Sequence, residues 1–152
     1  MQEKIYMFDL MDTLVWSPNL MELFASENAE LLAKFKNDPK TWQRETARIA
    51  DAYLSDGRVK ITTYEESLRV LGRLKGSGRI AILSNGTPNT IDKIVAQAGL
   101  DPFVDERLSL EQFNGRDKSE KELYPMVVEY LGSRGLYTAT YTDDKEKYCK
   151  AA

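Results

Sequence analysis

Six polar residues have the chemistry expected of a reaction site. In chain order they are Asp9, Ser84, Asn85, Lys118, Asp143 and Asp144. A carboxylate can attack an electrophile, a lysine can hold negative charge in place, and carboxylate oxygens bind hard divalent cations. The sequence contains no histidine and a single cysteine, Cys149, which excludes His-based zinc sites, Ser-His triads and an internal disulfide. Any catalysis must therefore use carboxylates, hydroxyls, lysines or a metal ion held by oxygen atoms.

Apolar runs with the composition of strands lead into most of these residues. The runs span residues 4–10, 79–85 and 136–142. Each run ends in polar residues, which is typical of a buried parallel strand. A weaker strand candidate spans residues 103–110.

Helix-start signals separate these runs. They are three dipeptides and two capping boxes, namely Ser17-Pro18, Asp38-Pro39, Thr87-Pro88, Thr63 with Glu66, and Ser119 with Glu122. Strands that alternate with helices predict a parallel sheet with helices on both faces, which is a Rossmann-like α/β fold. Ligands of such sheets bind beyond the carboxyl ends of the strands, so we expect the six polar residues to converge there.

The segment 17–56 carries two helix-length apolar patterns and no obvious strand. We expect it to form a small helical cap over the carboxyl ends of the strands. The predicted core domain then comprises residues 1–16 and 57–152. Three aromatic residues, Trp16, Trp42 and Tyr53, are predicted to pack the cap rather than to contact substrate.

Four motifs in this order resemble those of the haloacid dehalogenase superfamily. Residues 6–14 (Tyr-Met-Phe-Asp-Leu-Met-Asp-Thr-Leu) are similar to its first motif, an Asp that closes a strand with a Thr four residues later. Residues 80–88 (Ile-Ala-Ile-Leu-Ser-Asn-Gly-Thr-Pro) are similar to its second. Lys118, six residues before Tyr124, resembles the third, and Asp143-Asp144 resembles the acidic fourth. The order and spacing hold over nearly the whole chain.

The resemblance implies a hydrolase in which Asp9 is the nucleophile and forms an aspartyl-enzyme ester or acyl phosphate that water then hydrolyses. In the family's phosphotransferases, Mg²⁺ is bound by that Asp, by the backbone carbonyl of Met11 and by the acid of the fourth motif. Ser84, with Asn85, would bind a substrate oxygen. Lys118 would bind substrate and keep Asp9 ionised.

Two positions in these motifs have alternatives. In the fourth motif, Asp143 fits the end of the strand, whereas Asp144 fits the spacing to residues 151–152 better, so both are candidate metal ligands. In the third motif, Lys121 is the alternative to Lys118.

Met11 occupies the position at which the family's phosphatases carry a second Asp that protonates the leaving group. A thioether cannot donate a proton, which removes a contribution of roughly 10²–10⁴-fold. Asp12 lies one residue further along a tight turn, which predicts that its side chain points elsewhere. The family's dehalogenases also lack this acid, because halide leaves without protonation, and Ser84-Asn85 belongs to a motif close to theirs. Their fourth motif uses Ser and Asn instead of paired acids.

The function that fits these residues best is a Mg²⁺-dependent phosphatase of a small phosphorylated metabolite. One alternative is a metal-independent 2-haloacid dehalogenase. Another is a non-catalytic protein that binds a ligand or partner on the same fold, because fold alone does not choose a function.

Composition and charge argue against other classes. The 152 residues suffice for one core domain and a modest insertion, and the net charge of −3 with no dense basic block argues against a nucleic-acid partner. The longest apolar runs, such as residues 80–83, are too short to cross a membrane. The start resembles no signal peptide, so we expect a cytoplasmic protein that acts on a small molecule. The family's usual strand after the fourth motif would follow Ala152, and no pattern specifies an oligomeric state.

Overall fold

The computed structural model describes residues 3–132 and 137–152, and strands alternate with helices along much of the chain. In chain order the elements are β1 (Glu3–Phe8), β2 (Val15–Trp16), α1 (Leu20–Glu27), α2 (Ala29–Lys34), α3 (Pro39–Ser55), β3 (Thr62–Thr63), α4 (Glu65–Leu74), β4 (Arg79–Ser84), α5 (Pro88–Gln97), β5 (Glu106–Ser109), α6 (Leu123–Tyr130), β6 (Tyr137–Thr142) and α7 (Glu146–Ala151). A 3₁₀ turn, Leu110–Phe113, follows β5.

Four strands form a parallel sheet in the order β5-β4-β1-β6. In β1, Ile5 lies opposite Arg79 of β4 on one side and Ala139 of β6 on the other. Helices cover both faces of the sheet, which is the usual arrangement for parallel strands. The predicted Rossmann-like α/β fold is confirmed.

The side chains of β1 point alternately into two apolar clusters, one on each face of the sheet. Ile5 and Met7 pack with residues of α6, whereas Phe8 packs with residues of α4 and α5. Fully burying an aliphatic side chain such as Ile5 contributes roughly 1.5–3 kcal/mol to stability. The strand that ends just before Asp9 is therefore held from both faces, which fixes the position of that carboxylate.

The observed strands follow the predicted runs closely. β1 and β4 lie within the runs 4–10 and 79–85, and β5 is a four-residue part of the weaker candidate 103–110. The run 136–142 corresponds to β6, which begins at Tyr137, and Leu136 lies outside the described residues.

The predicted start of the first cap helix is wrong. Three helices, α1 to α3, occupy the fully described segment 17–56 instead of two, and α1 begins at Leu20 instead of at Ser17-Pro18. The side chain of Asn19 explains the later start. Its amide group donates to the carbonyl of Arg58 (2.7 Å), and its oxygen accepts from the N–H of Lys60 (2.9 Å).

Neither predicted capping box forms. Thr63 lies in β3 and donates its hydroxyl to the carbonyl of Ala98 (2.9 Å), so it does not cap α4. Ser119 donates to Asp117 instead of capping α6. Pro125 is tolerated because it lies in the first turn of α6, where a backbone N–H has no intrahelical partner.

A short antiparallel pair joins the two ends of the segment that carries α1 to α3. Val15 of β2 lies opposite Thr63 of β3, and Trp16 lies opposite Thr62. Between them, α1 to α3 pack around their own apolar cluster, in which Tyr53 is buried. The boundaries at residues 17 and 56 stay a prediction. No helix among the described residues is long and apolar enough to cross a membrane.

Candidate active site

A cavity of about 460 Å³ lies between the cap helices and the carboxyl ends of β1, β4 and β6. The residues singled out from the four motifs all line it, namely Asp9, Met11, Ser84, Asn85, Lys118, Asp143 and Asp144. Lys121 is exposed and does not line it. The cavity lies where the topology of a parallel α/β sheet places ligands.

Lys118 lies between two carboxylates. Its ammonium nitrogen Nζ is 2.6 Å from Oδ1 of Asp9 and 3.3 Å from Oδ2 of Asp143. The side chains of Lys118 and Asp143 are each 1% exposed, so the pair is shielded from water. The ammonium group also lies over the rings of Tyr141 and Tyr148, 5.6 and 5.7 Å from their centroids. This environment fixes Lys118 at one point of the cavity floor.

Tyr124 gives the six-residue spacing of the third motif a physical basis. It lies in the first turn of α6 and donates its hydroxyl to the backbone carbonyl of Lys118 (2.6 Å). The same hydroxyl lies 3.2 Å from the carbonyl oxygen of Tyr148 in α7. Tyr124 therefore holds the backbone from which the lysine side chain extends.

Tyr141 is a site residue that the sequence analysis did not identify. Its hydroxyl donates to Oδ2 of Asp143, while the N–H of Lys145 donates to Oδ1 (2.9 Å). Burial opposes ionisation of Asp143, but these donors and Lys118 outweigh it and lower the pKa of Asp143. Strand periodicity gives only a weak signal for Tyr141, because an inward-facing aromatic residue on a strand is usually core.

Thr13 connects the first and fourth motifs. Its hydroxyl donates to Oδ2 of Asp9 (3.3 Å) and accepts from the backbone N–H of Asp144 (3.1 Å). The four-residue spacing from Asp9 was visible in the sequence, but the contact with Asp144 was not. Asp12, whose side chain was predicted to point elsewhere, is exposed with a left-handed φ of 63° and is one of the residues that line the cavity.

The cavity floor carries an excess of negative charge. Burial raises the pKa of Asp9, and the charge of Asp143 adds to this, although Lys118 opposes both. Burial, the hydrogen bond with Asp143 and the charge of Asp9 raise the pKa of Asp144 to about 6. Both pKa values are raised, as expected where three carboxylates lie close together with one lysine among them.

The three carboxylates are close enough together to bind one cation. One oxygen from each of Asp9, Asp143 and Asp144 lies within 4.8 Å of the other two. Bonds of Mg²⁺ to oxygen are about 2.0–2.1 Å, so two oxygens on one ion are separated by roughly 3–4 Å, and small side-chain movements close the difference. The three ligand atoms are all carboxylate oxygens, which are the ligands that a hard divalent cation prefers.

At the end of β4, Ser84 and Asn85 present polar groups to the cavity. Ser84 is 8% exposed, and its Oγ accepts from the N–H of Gly86 (3.2 Å), which leaves its own proton to donate. Oδ1 of Asn85 is buried without a hydrogen-bond partner. Ser109 at the end of β5 donates to the carbonyl of Gly86 (2.6 Å) and fixes this loop. An unpaired buried amide oxygen is costly, so its natural partner is a hydrogen-bond donor on a ligand.

A family model described as haloacid dehalogenase-like hydrolase matches residues 16–139, which is most of the chain. The chain belongs to this family. The matched range includes Ser84, Asn85 and Lys118, and it ends before Asp143.

Individual proteins similar to this chain include one relative in sequence and several in structure. An (S)-2-haloacid dehalogenase from Pseudomonas sp. (strain YL) is 33% identical over 90 residues, which cover 59% of this chain and 36% of that protein, so the match spans about a third of its length. A HAD family enzyme from Bacteroides thetaiotaomicron has a similar structure (TM-score 0.69, 17% identity, 99% of this chain and 89% of that one). So does CbbY from Rhodobacter sphaeroides, solved in complex with phosphate (TM-score 0.63, 15% identity, 99% and 83%). At these identities the structures show the fold alone.

Without added metal, the protein should lose thermal stability as the pH rises from about 5 to about 7. The pKa of Asp144 is raised from 3.8 to about 6 in the folded state, so its protonated form stabilises the fold at low pH, and this contribution is lost as the pH rises through about 6. Asp9, whose pKa is also raised, acts in the same direction. Melting temperatures measured across this pH range in the presence of a chelator test the prediction.

Asp144→Asn should reduce that dependence on pH. Asp38→Asn is the control. The hydrogen bond from Thr41 lowers the pKa of Asp38, so the contribution of Asp38 to stability changes only at more acidic pH. A wild-type melting temperature that stays flat or rises over this pH range would contradict the charge excess.

Proposed function

We propose that this protein is a Mg²⁺-dependent phosphatase in which Asp9 attacks a phosphomonoester. The carboxylate cluster of Asp9, Asp143 and Asp144 carries the proposal. Among the described residues Lys118 is the cation that forms ion pairs with this cluster, so the three acids and Lys118 together have a formal charge of −2 when all three acids are ionised. A divalent cation would neutralise this charge, whereas a metal-independent reaction on an anionic haloacid would have to proceed against it.

The residues of the floor support a two-step hydrolysis. A carboxylate oxygen of Asp9 attacks phosphorus, and the ester P–O bond breaks with its electron pair on the leaving oxygen. Water then attacks the phosphorus of the aspartyl phosphate, the bond to Asp9 breaks, and inorganic phosphate and a proton are released. Lys118 holds Asp9 in place and keeps it ionised, and the hydroxyl of Ser84 and the amide N–H groups of Asn85 would donate to phosphoryl oxygens. Bound Mg²⁺ would neutralise phosphoryl charge as it develops.

A screen of phosphomonoesters and chloroacids, each with and without Mg²⁺, tests the proposal. We expect release of phosphate only with Mg²⁺, and we expect no release of chloride. Asp143→Asn combined with Asp144→Asn should abolish both the Mg²⁺-dependent release of phosphate and any Mg²⁺-dependent rise in melting temperature. Phosphate release that is unaffected by a chelator would contradict the metal-dependent route.

The second candidate is a 2-haloacid dehalogenase. Met11 favours it, since a halide needs no proton when it leaves, and so does the curated relative described above. Chloride release without metal in the same screen would establish it in place of the phosphatase. If neither class of substrate reacts while the protein stays folded, the hypothesis that remains is a non-catalytic member of the family that binds a ligand or partner.

Met11→Asp should separate the two enzymatic candidates. In a phosphatase, the new carboxyl group can protonate the leaving oxygen, so turnover of an alkyl phosphate should rise by about 10²-fold or more, while p-nitrophenyl phosphate changes little. In a dehalogenase, the same substitution adds negative charge where halide departs and should lower activity. Steady-state rates on both substrates give the answer, with Met11→Leu as the control that replaces the thioether at nearly constant volume and adds no carboxyl group.

A further inference from the structure

The roof of the cavity differs in chemistry from its floor. Cap residues on the roof include Phe24, Leu32, Trp42 and Leu54. Within segment 17–61, all of which the structure describes, no charged side chain lines the cavity. Its polar side chains are Gln43 and Thr46. The hydroxyl of Thr46 already bonds to the backbone carbonyls of Trp42 (2.8 Å) and Gln43 (3.0 Å).

One face of α3 forms much of this roof. Trp42, Thr46, Ala50 and Leu54 recur every four residues and line the cavity, so a single helix presents an aromatic and aliphatic stripe along it. Trp42 packs partly against the cap cluster, as predicted, but it also lines the cavity, where the prediction of a packing role alone did not place it. A cavity of about 460 Å³ is large enough for an organic group of one or two rings beyond the phosphoryl group.

We infer that the substrate is an aryl phosphomonoester whose phosphoryl group meets the carboxylate floor and whose aromatic ring lies under the apolar roof. This inference rests on the proposed phosphatase function and narrows its substrate. Sugar, amino-acid and nucleoside groups would have to leave water for a roof that offers them little beyond the amide of Gln43. An aromatic ring gains from burial there and can stack on Trp42.

Met11 supports the same substrate class independently. With a thioether at the general-acid position, the P–O bond breaks without protonation, and the electron pair stays on the leaving oxygen. A phenol has a pKa of about 10, so phenolate leaves readily, whereas an alkoxide is about as basic as hydroxide. The second step is the same for every ester, because water cleaves the aspartyl phosphate after the organic group has gone. Roof and floor therefore both favour an aryl leaving group.

Turnover of four phosphates in the presence of Mg²⁺ tests this substrate class. We expect kcat/KM for naphthyl phosphate to exceed that for cyclohexylmethyl phosphate, an apolar alkyl ester, by about 10²-fold. The value of kcat/KM for cyclohexylmethyl phosphate should in turn exceed that for glucose phosphate by about tenfold. Both are alkyl esters, so this difference reports on burial of an apolar group instead of a polar one. Acetyl phosphate needs neither the roof nor a proton donor, so it reports on phosphoryl transfer alone.

A binding measurement makes the test independent of turnover. The sequence has two tryptophans, so Trp16→Phe leaves Trp42 as the only one, and quenching of its fluorescence reports on ligand under the roof. With Mg²⁺ present, phenylphosphonate should bind about tenfold more tightly than methylphosphonate. Trp42→Ala, followed by calorimetry, should remove most of that difference, whereas Trp16→Ala, which changes a residue outside the cavity, should preserve it.

The outcomes separate the inference from the proposed function. Glucose phosphate hydrolysed more efficiently than naphthyl phosphate would overturn the inference, and so would equal binding of the two phosphonates. In either case turnover of acetyl phosphate leaves the phosphatase function standing. If Mg²⁺-dependent hydrolysis of acetyl phosphate and of all the esters is absent, the proposed function fails, and the aryl substrate class fails with it.

Discussion

On the proposed phosphatase mechanism, Asp9→Asn should lower phosphate release by roughly 10⁴-fold or more while the protein stays folded, because loss of the nucleophile removes the covalent route entirely. The amide keeps the shape of the side chain and can still accept a hydrogen bond from Lys118. Phosphate release by purified protein, together with circular dichroism of both forms, measures the effect. Asp92→Asn is a matched control, because this carboxylate is on the surface and pairs with Arg107 away from the cavity.

Covalent chemistry gives a second readout for the same variant. Rapid acid quenching of the wild-type protein with labelled phosphate ester should trap label on the protein, and Asp9→Asn should trap none. Full activity in Asp9→Asn would refute the assignment of the nucleophile. Equal labelling of both forms would place the covalent bond on another residue.

Lys118→Met should lower both stability and activity. The methionine has a similar length but leaves Asp9 and Asp143 without their shared cation, and removing one partner of a buried ion pair costs about 3–5 kcal/mol of unfolding free energy. Activity should fall by roughly 10²–10³-fold, as when one electrostatic donor is lost from an active site. Urea unfolding and steady-state kinetics measure the two effects.

The pH profile distinguishes an electrostatic role of Lys118 from a purely structural one. Lys118 opposes the rise in the pKa of Asp9 that burial causes, so its removal raises that pKa further. The acid limb of the remaining activity should therefore move to higher pH. Lys121→Met is the control, since Lys121 lies three residues away and is exposed. An unshifted acid limb, or equal effects of both variants, would contradict the role assigned to Lys118.

Local patterns in the sequence were sufficient to predict the sheet. Short apolar runs that end in polar residues predict buried parallel strands, because side-chain period and propensity depend on neighbouring residues. Such patterns failed where a distant group intervened. The bonds from Asn19 to Arg58 and Lys60 join residues about 40 positions apart and delay the start of α1, and no helix-start signal includes them.

The sequence alone also predicted that Asp9 and Ser84 reach the cavity, since motif order and strand ends place them at one edge of a parallel sheet, whereas the structure decided between Lys118 and Lys121. Only the tertiary structure decided how they are connected. The contact between Asp9 and Lys118 joins positions 109 residues apart. The hydroxyl of Tyr141 donates to Asp143 where β6 ends. The apolar stripe of α3 lines the cavity because the cap helices pack over the sheet. These features depend on side-chain directions set by long-range packing, and a one-dimensional pattern does not contain them.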